Sequence, residues 1–445
     1  MSRLKGKNLP EGALKITKTL KAKGHQAYLV GGCVRDLLLD LPVKEWDITT
    51  SAKPTEVSSL FHKVVPTGIE YGTVTALVDQ GTYEVTTFRS DEKYVDGRHP
   101  ANVAFTDDLH KDLARRDFTI NALAYDPETD QLIDDFEGQQ DLKNKLIKTV
   151  GNPIDRFSED GLRSVRACRF AAKLGFTIEK STLAAIPKTL EVTKKVAAER
   201  LHDELVKMLA ADQPSIGLEL MRQTGLLSLI LPELEVCHGI DQPPKFHKYD
   251  VYWHSLYACD AAPKDNLPVR LAALLHDIAK PACKVDYTFY NHDKVGAKTC
   301  EEILKRLKFS NHDIKKVSNL VDNHMFNYTA QWSDAAVRRF IRRIGGVQNV
   351  ADLFAVRQAD TSAMEQEIGS QYLIELQQRI DKIIKEEHAL DVSDLKVDGQ
   401  DIMKALKIKP GPKVGQILHQ LLEKALDDPK LNQRATLLKL IKEHE

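Results

Sequence analysis

A double glycine near the N-terminus has the residue types that a phosphate-binding turn requires. The stretch Ala27–Val30 reads as a short β-strand, and it enters Gly31-Gly32 before a predicted helix that carries Arg35. Glycines let backbone N–H groups approach an anion closely, and the arginine adds a positive charge. We therefore expect Gly31, Gly32 and Arg35 to position the triphosphate of a nucleotide. An ordinary strand-to-helix turn is the alternative interpretation of the glycines taken alone.

Two carboxylates follow this turn in the sequence, at Glu45 and Asp47. Because side chains alternate along a strand, residues two apart point to the same face, and we expect both carboxylates to bind divalent metal ions beside the turn. Glu84 lies on another strand-like run and is a candidate third carboxylate, with an exposed acid of no special role as the equal alternative. A phosphate turn beside paired metal ligands is what catalysis of nucleotidyl transfer requires.

A second cluster of charged residues precedes an apolar run, at Arg115-Arg116-Asp117. Arginine binds phosphate oxygens through charged and often bidentate hydrogen bonds, so both arginines suit further phosphate or ribose contacts. We expect Arg116 and Asp117 to help hold the nucleotide.

The segment from Asp155 to Phe170 carries a pair of side chains that suits recognition of a base. Ser158 is predicted to be an N-cap, which places Asp160 in the first helical turn and Arg163 three residues later on the same face. Stabilisation of the helix N-terminus by the acids is the plainer alternative. Cytosine and adenine each present an amino donor beside a ring-nitrogen acceptor, whereas guanine and uracil present the reverse order. A carboxylate beside a guanidinium would therefore accept C and A, because the other bases leave polar groups unpaired.

The elements that must position these residues divide the chain into a strand-rich head and a helical remainder. Alternating β-branched residues predict strands at Ala27–Val30, Thr73–Val78 and Tyr83–Phe88, with a turn at Asp79-Gln80-Gly81 between the last two. From Asp155 onward helical periodicity dominates. We expect an α+β protein with a mixed sheet in its head, divided into a head (1–150), a neck (151–212), a body (213–388) and a tail (389–445).

Composition limits the environments in which the chain is expected. Its 445 residues exceed what one hydrophobic core holds. The 63 Lys and Arg nearly balance the 64 Asp and Glu, so contacts with nucleic acid must come from local basic surfaces. Six scattered cysteines favour reduced structural thiols. The sequence has neither a long apolar span nor a signal-like segment, and we expect a cytoplasmic protein with no membrane partner.

Taken together, the spaced motifs resemble class II tRNA nucleotidyltransferases and bacterial poly(A) polymerases. The motifs that carry the resemblance are Gly31-Gly32-Cys33-Val34-Arg35-Asp36, the acids before Ile48, Arg115–Ala122 and Glu159–Arg163. The resemblance implies a polymerase-β-like head that transfers a nucleoside monophosphate from a triphosphate to an RNA 3′ hydroxyl with Mg²⁺. It also implies that Asp160 and Arg163 form a protein template for the incoming base.

The chain departs from this family in one metal ligand. The family usually has aspartate where this chain has Glu45, and glutamate is still a hard oxygen ligand but reaches about one methylene farther. In the family, a flexible loop at positions 88–100 helps to switch from C to A addition, and its full length here, with Tyr94 and Arg98, favours addition of the terminal A. The family also implies that the tail grips the body of tRNA through its shape and backbone charge.

Histidines and aspartates recur on apolar helical segments of the body. A single histidine in such a place is usually a core residue, but several imidazoles and carboxylates together fit a mononuclear or dinuclear metal cluster. This pattern resembles the HD phosphohydrolase superfamily, which implies a divalent metal, of unspecified identity, and hydrolysis of phosphate esters. The predicted ligands are His254, His276, Asp277 and Asp360, with His292 and His324 also available.

The leading hypothesis is addition of the CCA end to tRNA from CTP and ATP, by a monomer or a homodimer. An A-adding enzyme that works with a separate CC-adding enzyme is the nearest alternative. A poly(A) polymerase is disfavoured, because the chain has no long basic extension for generic RNA. An alternative of another class is an HD phosphohydrolase whose head only binds RNA.

Overall fold

The computed structural model describes residues 4, 7–91, 103–244, 247–364, 371–386 and 391–443. The chain divides into two compact units, Met1–Pro232 and Glu233–Glu445. The first unit contains a mixed sheet and helices, and the described part of the second is built almost wholly of helices. The predicted α+β class is therefore confirmed, and the finer division into head, neck, body and tail stays a prediction.

The first unit is organised around a seven-stranded mixed sheet. The described strands of the whole unit, of which β6–β7 and β10–β11 form two separate two-stranded sheets, are β1 (Ala27–Val30), β2 (Asp47–Thr50), β3 (Val64–Gly68), β4 (Thr73–Val78), β5 (Gly81–Thr87), β6 (Arg89–Asp91), β7 (Val103–Phe105), β8 (Ala124–Asp126), β9 (Gln131–Ile133), β10 (Leu146–Ile147) and β11 (Thr177–Ile178). The order in the main sheet is β3-β4-β5-β2-β1-β8-β9, and within it β2 and β5 are parallel while the other pairs are antiparallel.

The hairpin of β4 and β5 shows how the sequence specifies this sheet. Every second residue of β4 is buried, as the alternating pattern predicts. Asp79 and Gln80 join the strands with φ angles of 48° and 63°, the pair of left-handed conformations that matches the twist of a two-residue hairpin. The predicted turn is confirmed at these residues, and β5 begins at Gly81.

Helices cover the sheet and continue the first unit beyond it. They are α1 (Glu11–Ala22), α2 (Gly32–Leu38), α3 (Pro54–Leu60), α4 (Leu109–Ala114), α5 (Gly138–Lys143), α6 (Pro153–Glu159), α7 (Leu162–Leu174), α8 (Lys180–Ala185), α9 (Leu190–Thr193), α10 (Ala198–Leu209), α11 (Pro214–Gln223) and α12 (Leu226–Ile230). A short helix, α13 (Pro232–Glu235), spans the division between the units.

One predicted helix start is wrong. Ser158 lies inside α6, whose N-cap is Asn152, and the chain leaves the helix at Asp160, where φ is -147°. Asp160 and Arg163 therefore stand on either side of a helix break and not on one helical face. The pattern misled because a serine followed by acids also occurs in the last turn of a helix that a second helix follows closely.

The second unit consists of helices that pack around an apolar centre. They are α14 (Val251–Ala261), α15 (Leu267–Leu275), α16 (Lys280–Cys283), α17 (His292–Arg306), α18 (Asn311–Asn323), α19 (Asp334–Arg343), α20 (Val350–Ser362), α21 (Gln371–Lys385), α22 (Gly399–Leu406), α23 (Pro412–Asp427) and α24 (Arg434–Lys442). Seven consecutive residues of α15, from Val269 to Leu275, are buried, so this helix is enclosed by its neighbours. The last three helices share a hydrophobic core that includes Ile402, Leu421 and Leu437.

Two further expectations concern the environment of the chain. All six cysteines are free thiols, and Cys283 is the one that is not fully buried. Among the described residues, no helix combines the length and apolar character needed to cross a membrane.

Candidate active site and metal cluster

The turn after β1 has a backbone that requires glycine. Gly31 has φ of +76°, and its N–H donates to the carbonyl of Leu123 at 3.1 Å. A Cβ on Gly31 would lie 2.9 Å from the Nη1 atom of Arg116 and 3.8 Å from Oδ2 of Asp47. The glycine therefore lets a guanidinium and a carboxylate approach the same backbone turn.

Asp47 is the first residue of β2, and it pairs in register with Glu84 of the parallel strand β5. Paired residues of neighbouring strands point to the same side of a sheet, so the two acids share one face. Burial and then the negative charge of Glu84 raise the pKa of Asp47 to about 6. Because the carboxylates repel one another, a divalent cation between them would be stabilised.

The other predicted ligand, Glu45, precedes the strand and is exposed. The prediction that Glu45 and Asp47 lie on one strand is therefore wrong, although the charge of Glu45 still acts on Asp47. Glu84 is also exposed, although it pairs with Asp47 across the two strands. Its role as a third metal ligand stays a prediction.

Arg116 is better placed for a phosphate than its neighbour Arg115. Arg115 donates to Asp112 at 3.0 Å, and Arg116 makes only a longer 3.4 Å contact with the same carboxylate. The Nε atom of Arg116 is buried with no hydrogen-bond partner among the described residues, and its guanidinium lies against Gly31. A buried donor without a partner is costly, so an anion at this turn would be bound favourably.

Arg35 lies beneath the turn with its guanidinium engaged. The residue is 3% exposed, and it donates to Asp36 at 2.8 Å and to the Asn121 side chain at 2.6 Å. It also lies over the ring of Phe170, 5.1 Å from the ring centroid. In this arrangement Arg35 connects α2 to the Thr119–Asn121 turn, and its direct contact with a triphosphate stays a prediction.

Asp117 is likewise engaged inside the protein. One oxygen accepts from the backbone of Phe118 and from Asn121, and the other accepts from Arg166 at 2.7 and 2.8 Å. Burial alone would raise the pKa of Asp117, but the Arg166 guanidinium overrides it and the pKa falls to about 2. Asp117 is therefore ionised, and it can orient Asn121 and Arg166.

The two residues predicted to select the base have separate partners. Asp160 accepts two hydrogen bonds from Arg200, at 2.7 and 3.1 Å. Arg163 donates to Glu159 at 2.5 Å and to the backbone carbonyls of Arg156 and Arg115 at 3.1 and 3.0 Å. These contacts hold both side chains in defined positions beside the helix break.

Arg166 and Arg200 are functional candidates that the sequence interpretation did not assign. Arg200 stands on α10, some forty residues from its carboxylate partner, so no local spacing connects them. The signal available in the sequence is the run of charged residues from Glu199 to Glu204. Residues 92–102, including Tyr94 and Arg98, lie outside the described residues, so the argument for A addition from that loop stays a prediction.

The histidines and aspartates of the second unit come together on five buried segments. They divide into two groups, and within each group the possible ligand atoms lie within 4.8 Å of one another. Every member is at least 90% buried, so each polar group needs a partner inside the protein. The first group is His254, His276 and Asp360, and the second is Asp277, His292 and His324.

Backbone carbonyls set the tautomers of three of these histidines. The Nδ1 atoms of His276, His292 and His324 lie 2.8, 2.7 and 2.7 Å from the carbonyls of residues 273, 289 and 321. A carbonyl only accepts, so each Nδ1 carries a hydrogen, and in the neutral form of each ring the lone pair of Nε2 faces the cluster. This is the arrangement that metal-ligating histidines have in proteins.

Charges around the cluster also favour a cation. Burial lowers the pKa of His276, but Asp277 and then Asp360 raise it to about 10, so two buried carboxylates stabilise positive charge here. Lys280 lies 2.6 Å from Asp277, and Arg357 lies 2.9 Å from Asp360. These two cations, not assigned from the sequence, orient the carboxylates. The donor set therefore fits a divalent transition metal.

The chain is similar to known proteins over most of its length. Three family models match it: Poly A polymerase head domain over residues 27–148, probable RNA and SrmB-binding site of polymerase A over 175–237, and tRNA nucleotidyltransferase domain 2, putative, over 289–441. The CCA-adding enzyme of Limosilactobacillus fermentum is 35% identical over 435 residues, which cover 96% of each chain. That of Enterococcus faecalis is 32% identical over 432 residues, covering 97% of this chain and 95% of the relative.

A solved structure agrees with these relatives. The crystal structure of the Bacillus stearothermophilus CCA-adding enzyme in complex with CTP matches with a TM-score of 0.77 at 26% identity, covering 98% of this chain and 97% of that one. The similarity thus extends from the sheet of the first unit to the helices of the second. The chain also has a glycine turn suited to a phosphate and neighbouring acids suited to a metal ion. It belongs to the family of CCA-adding enzymes, which are tRNA nucleotidyltransferases.

Proposed function

We propose that this chain adds the CCA end to the 3′ terminus of tRNA from CTP and ATP. The observation that carries the proposal is the register of Asp47 with Glu84 beside the Gly31 turn and Arg116. Mg²⁺ bound by these acids would neutralise the triphosphate and favour ionisation of the RNA hydroxyl. The 3′ oxygen attacks the α-phosphorus, the bond to the β-phosphate oxygen breaks, and pyrophosphate leaves.

The residues of the turn divide the work of holding the nucleotide. Gly31 and Gly32 leave room for phosphate oxygens, and Arg116 supplies donors to them. Arg35 and Asp117 act from beneath, because their contacts fix the Thr119–Asn121 turn and Arg166. Asp47 is the principal metal ligand, and the exposed Glu45 completes the metal site from outside the strand.

Base selection falls to Asp160 and Arg163. In their present contacts, Arg200 holds the carboxylate and Glu159 holds the guanidinium, which limits the rotamers of both. A held acceptor and a held donor discriminate more strongly than mobile ones, since a mismatched base cannot induce them to reorient.

The experiment that tests the proposal offers tRNA ending at the discriminator base, at C or at CC, with CTP or ATP separately. We expect C on the first two substrates and A on the third. Failure to add C to the shortest tRNA, with normal A addition to the CC end, would favour the A-adding alternative. Repeated addition of A to an unrelated RNA would instead favour a poly(A) polymerase.

The tail supplies a surface for the tRNA body. Lys404, Lys407, Lys409 and Lys413 are exposed on α22, α23 and the loop between them. Contacts of lysine with the RNA backbone are independent of sequence and weaken with salt. Replacing these four lysines by glutamine should raise the KM for tRNA and leave the KM for CTP unchanged.

The cluster of the second unit supports a second candidate function. We propose that it binds a divalent metal and catalyses hydrolysis of a phosphate ester, because three ring nitrogens with set tautomers converge on two buried carboxylates. Metal analysis of the purified chain, with the His276→Ala variant as comparison, tests the binding. Equal and negligible metal in both proteins would contradict it.

A further inference from the structure

Arg163, the arginine assigned above to base selection, is held in place by a second arginine on the preceding helix. Arg156 and Glu159 both lie on α6, and each oxygen of the Glu159 carboxylate contacts one guanidinium. Oε1 lies 2.8 Å from Nη2 of Arg156, and Oε2 lies 2.5 Å from Nη1 of Arg163. The side chains of Arg156, Glu159 and Arg163 are only 19%, 20% and 11% exposed. Glu159 is therefore fixed between two cations.

The same two arginines also contact the C-terminal end of α4. Nη1 of Arg156 donates to the carbonyl of Ala114 at 3.2 Å, and Nη2 of Arg163 donates to the carbonyl of Arg115 at 3.0 Å. The last carbonyls of a helix have no partner within the helix, so these donors satisfy them. Arg116, whose guanidinium lies at the glycine turn, follows directly in the chain. The contacts thus connect the arginine of base selection to the candidate phosphate site.

Stability alone does not account for the position of Arg156. Its Nε atom is buried with no hydrogen-bond partner among the described residues. A buried donor without a partner is costly, so a residue that only linked two helices would be better placed with all its donors paired. Both acceptors of Arg156 instead adjoin Arg163: the Glu159 carboxylate is shared with it, and Ala114 precedes the residue whose carbonyl accepts from it.

We propose that Arg156 is a positioning residue for base selection, which fixes the plane of the Arg163 guanidinium through Glu159 and the end of α4. A guanidinium donates in its own plane, so its orientation decides which acceptors of a base it reaches. Without Arg156, both oxygens of Glu159 are available to Arg163, and a bidentate pair turns the guanidinium toward the carboxylate. The inference rests on the function proposed above, because it requires that Arg163 selects the base.

The test compares two arginines that form the same kind of pair. Arg156→Met removes the positioning contacts, and Arg222→Met is the matched control. Arg222 also lies 2.8 Å from a glutamate three residues away, Glu219, and its side chain is 23% exposed against 19% for Arg156. The measured quantities are kcat/KM for CTP and UTP on tRNA ending at the discriminator base, and for ATP and GTP on tRNA ending at CC. Arg156→Met should reduce both ratios about tenfold, and Arg222→Met should leave both within about twofold of normal.

A second substitution separates positioning from folding. Arg156→Lys keeps the charge but lacks the planar fork, so it should reduce each ratio by about threefold. Thermal melts of all variants show which of them fold. Lower melting temperatures with unchanged ratios in Arg156→Met or Arg156→Lys would show that Arg156 has a structural role only, and would overturn the proposal.

A double variant shows whether Arg156 acts through Arg163. In an Arg163→Ala background, Arg156→Met should change neither ratio further, because the group that it positions is absent. A further loss of selectivity in this background would overturn the proposal.

Failure of the proposed function gives a different result from failure of this inference. An unmodified chain that adds neither C nor A to tRNA refutes the addition itself. If the chain adds only A, the ratio of ATP to GTP still tests Arg156. Equal selectivity in the unmodified chain and in Arg156→Met refutes the positioning role and leaves the addition of nucleotides intact.

Discussion

The two candidate metal sites of this chain differ in the exposure and in the chemistry of their ligands. The site of the first unit is open and built from oxygen ligands: Glu45 and Glu84 are exposed, and Asp47 begins a strand at the edge of the turn. The site of the second unit, called the closed site below because its ligands are buried, is rich in nitrogen, with His292 and Asp277 at least 90% buried at the base of a cavity. Each is built from side chains of its own unit.

The difference reflects what each ion must do. An oxygen site that remains accessible suits Mg²⁺, which keeps some of its water and is shared with the phosphates of a substrate. A buried set of imidazoles suits a resident transition metal, because neutral nitrogen ligands bind it strongly and the desolvation of the carboxylates is offset permanently. Ligand chemistry therefore separates a metal that arrives with the nucleotide from one that stays.

The largest expected effect comes from removing the principal ligand of the open site. Asp47→Ala should lower kcat for CTP incorporation by at least about 10³-fold, because the developing charge loses its cation. Metal content of the second unit should not change. The matched control is Glu70→Ala, an exposed acid close to the same sheet. Incorporation by Asp47→Ala at the normal rate would contradict the transfer mechanism.

The reciprocal variant removes a ligand of the closed site. His276→Ala should lose bound transition metal, since its Nε2 faces Asp277 at 3.1 Å, while CCA addition stays within about twofold of normal. Metal analysis and tRNA extension on the same preparation check both statements. Parallel loss of the two activities would show that the sites are not independent.

Base selection should respond less strongly than chemistry. Asp160→Ala should reduce discrimination of C over U by about 10- to 100-fold, the range expected when one buried hydrogen bond no longer rejects the wrong base. Arg200→Lys keeps the charge but not the bidentate contact, and should lose part of that discrimination. Competition between CTP and UTP on one tRNA measures both. Unchanged selectivity in Asp160→Ala would argue against the template.

Glu45 provides a finer test of the open site. Because it is exposed and precedes β2, Glu45→Gln should lower kcat by about tenfold or less, well below the effect of Asp47→Asn. Titration of activity with Mg²⁺ should show a weaker apparent affinity in Glu45→Gln. Equal losses in the two variants would mean that the acids are equivalent ligands.

The smallest expected effect is on stability and pH. Since the folded pKa of Asp47 is raised to about 6, the folded protein holds this proton more tightly than the unfolded chain does. The protonated Asp47 therefore contributes to the free energy of unfolding at low pH, and this contribution is lost as pH rises from about 4 through 6. In chelator, the stability of Asp47→Asn relative to the unmodified chain should increase by about 2 kcal/mol from pH 4 to pH 7. Mg²⁺ should reduce this difference in stability. Thermal melts in chelator that show no such difference between the two proteins would contradict the prediction.

Local patterns were enough for the elements that carry the open site. Alternation predicted β1 and β4 to the residue, and the double glycine predicted the turn, because both depend on neighbours in the chain. The same reasoning failed at Ser158, which lies near the end of α6, just before α7 begins. A serine followed by acids has the same local sequence there as an N-cap has. Cap signals describe one turn of chain and carry no information about the next helix.

The residue types needed for the chemistry can be read from the sequence alone: acids after a glycine turn, arginines for phosphate, and imidazoles on apolar helices. Which of these residues meet depends on the tertiary structure. Three contacts join residues that are distant in the chain: Arg200 with Asp160, Arg35 with Asn121, and His292 with Asp277. Such pairings depend on how helices and strands pack, and periodicity records which face of an element is buried but not what lies against it.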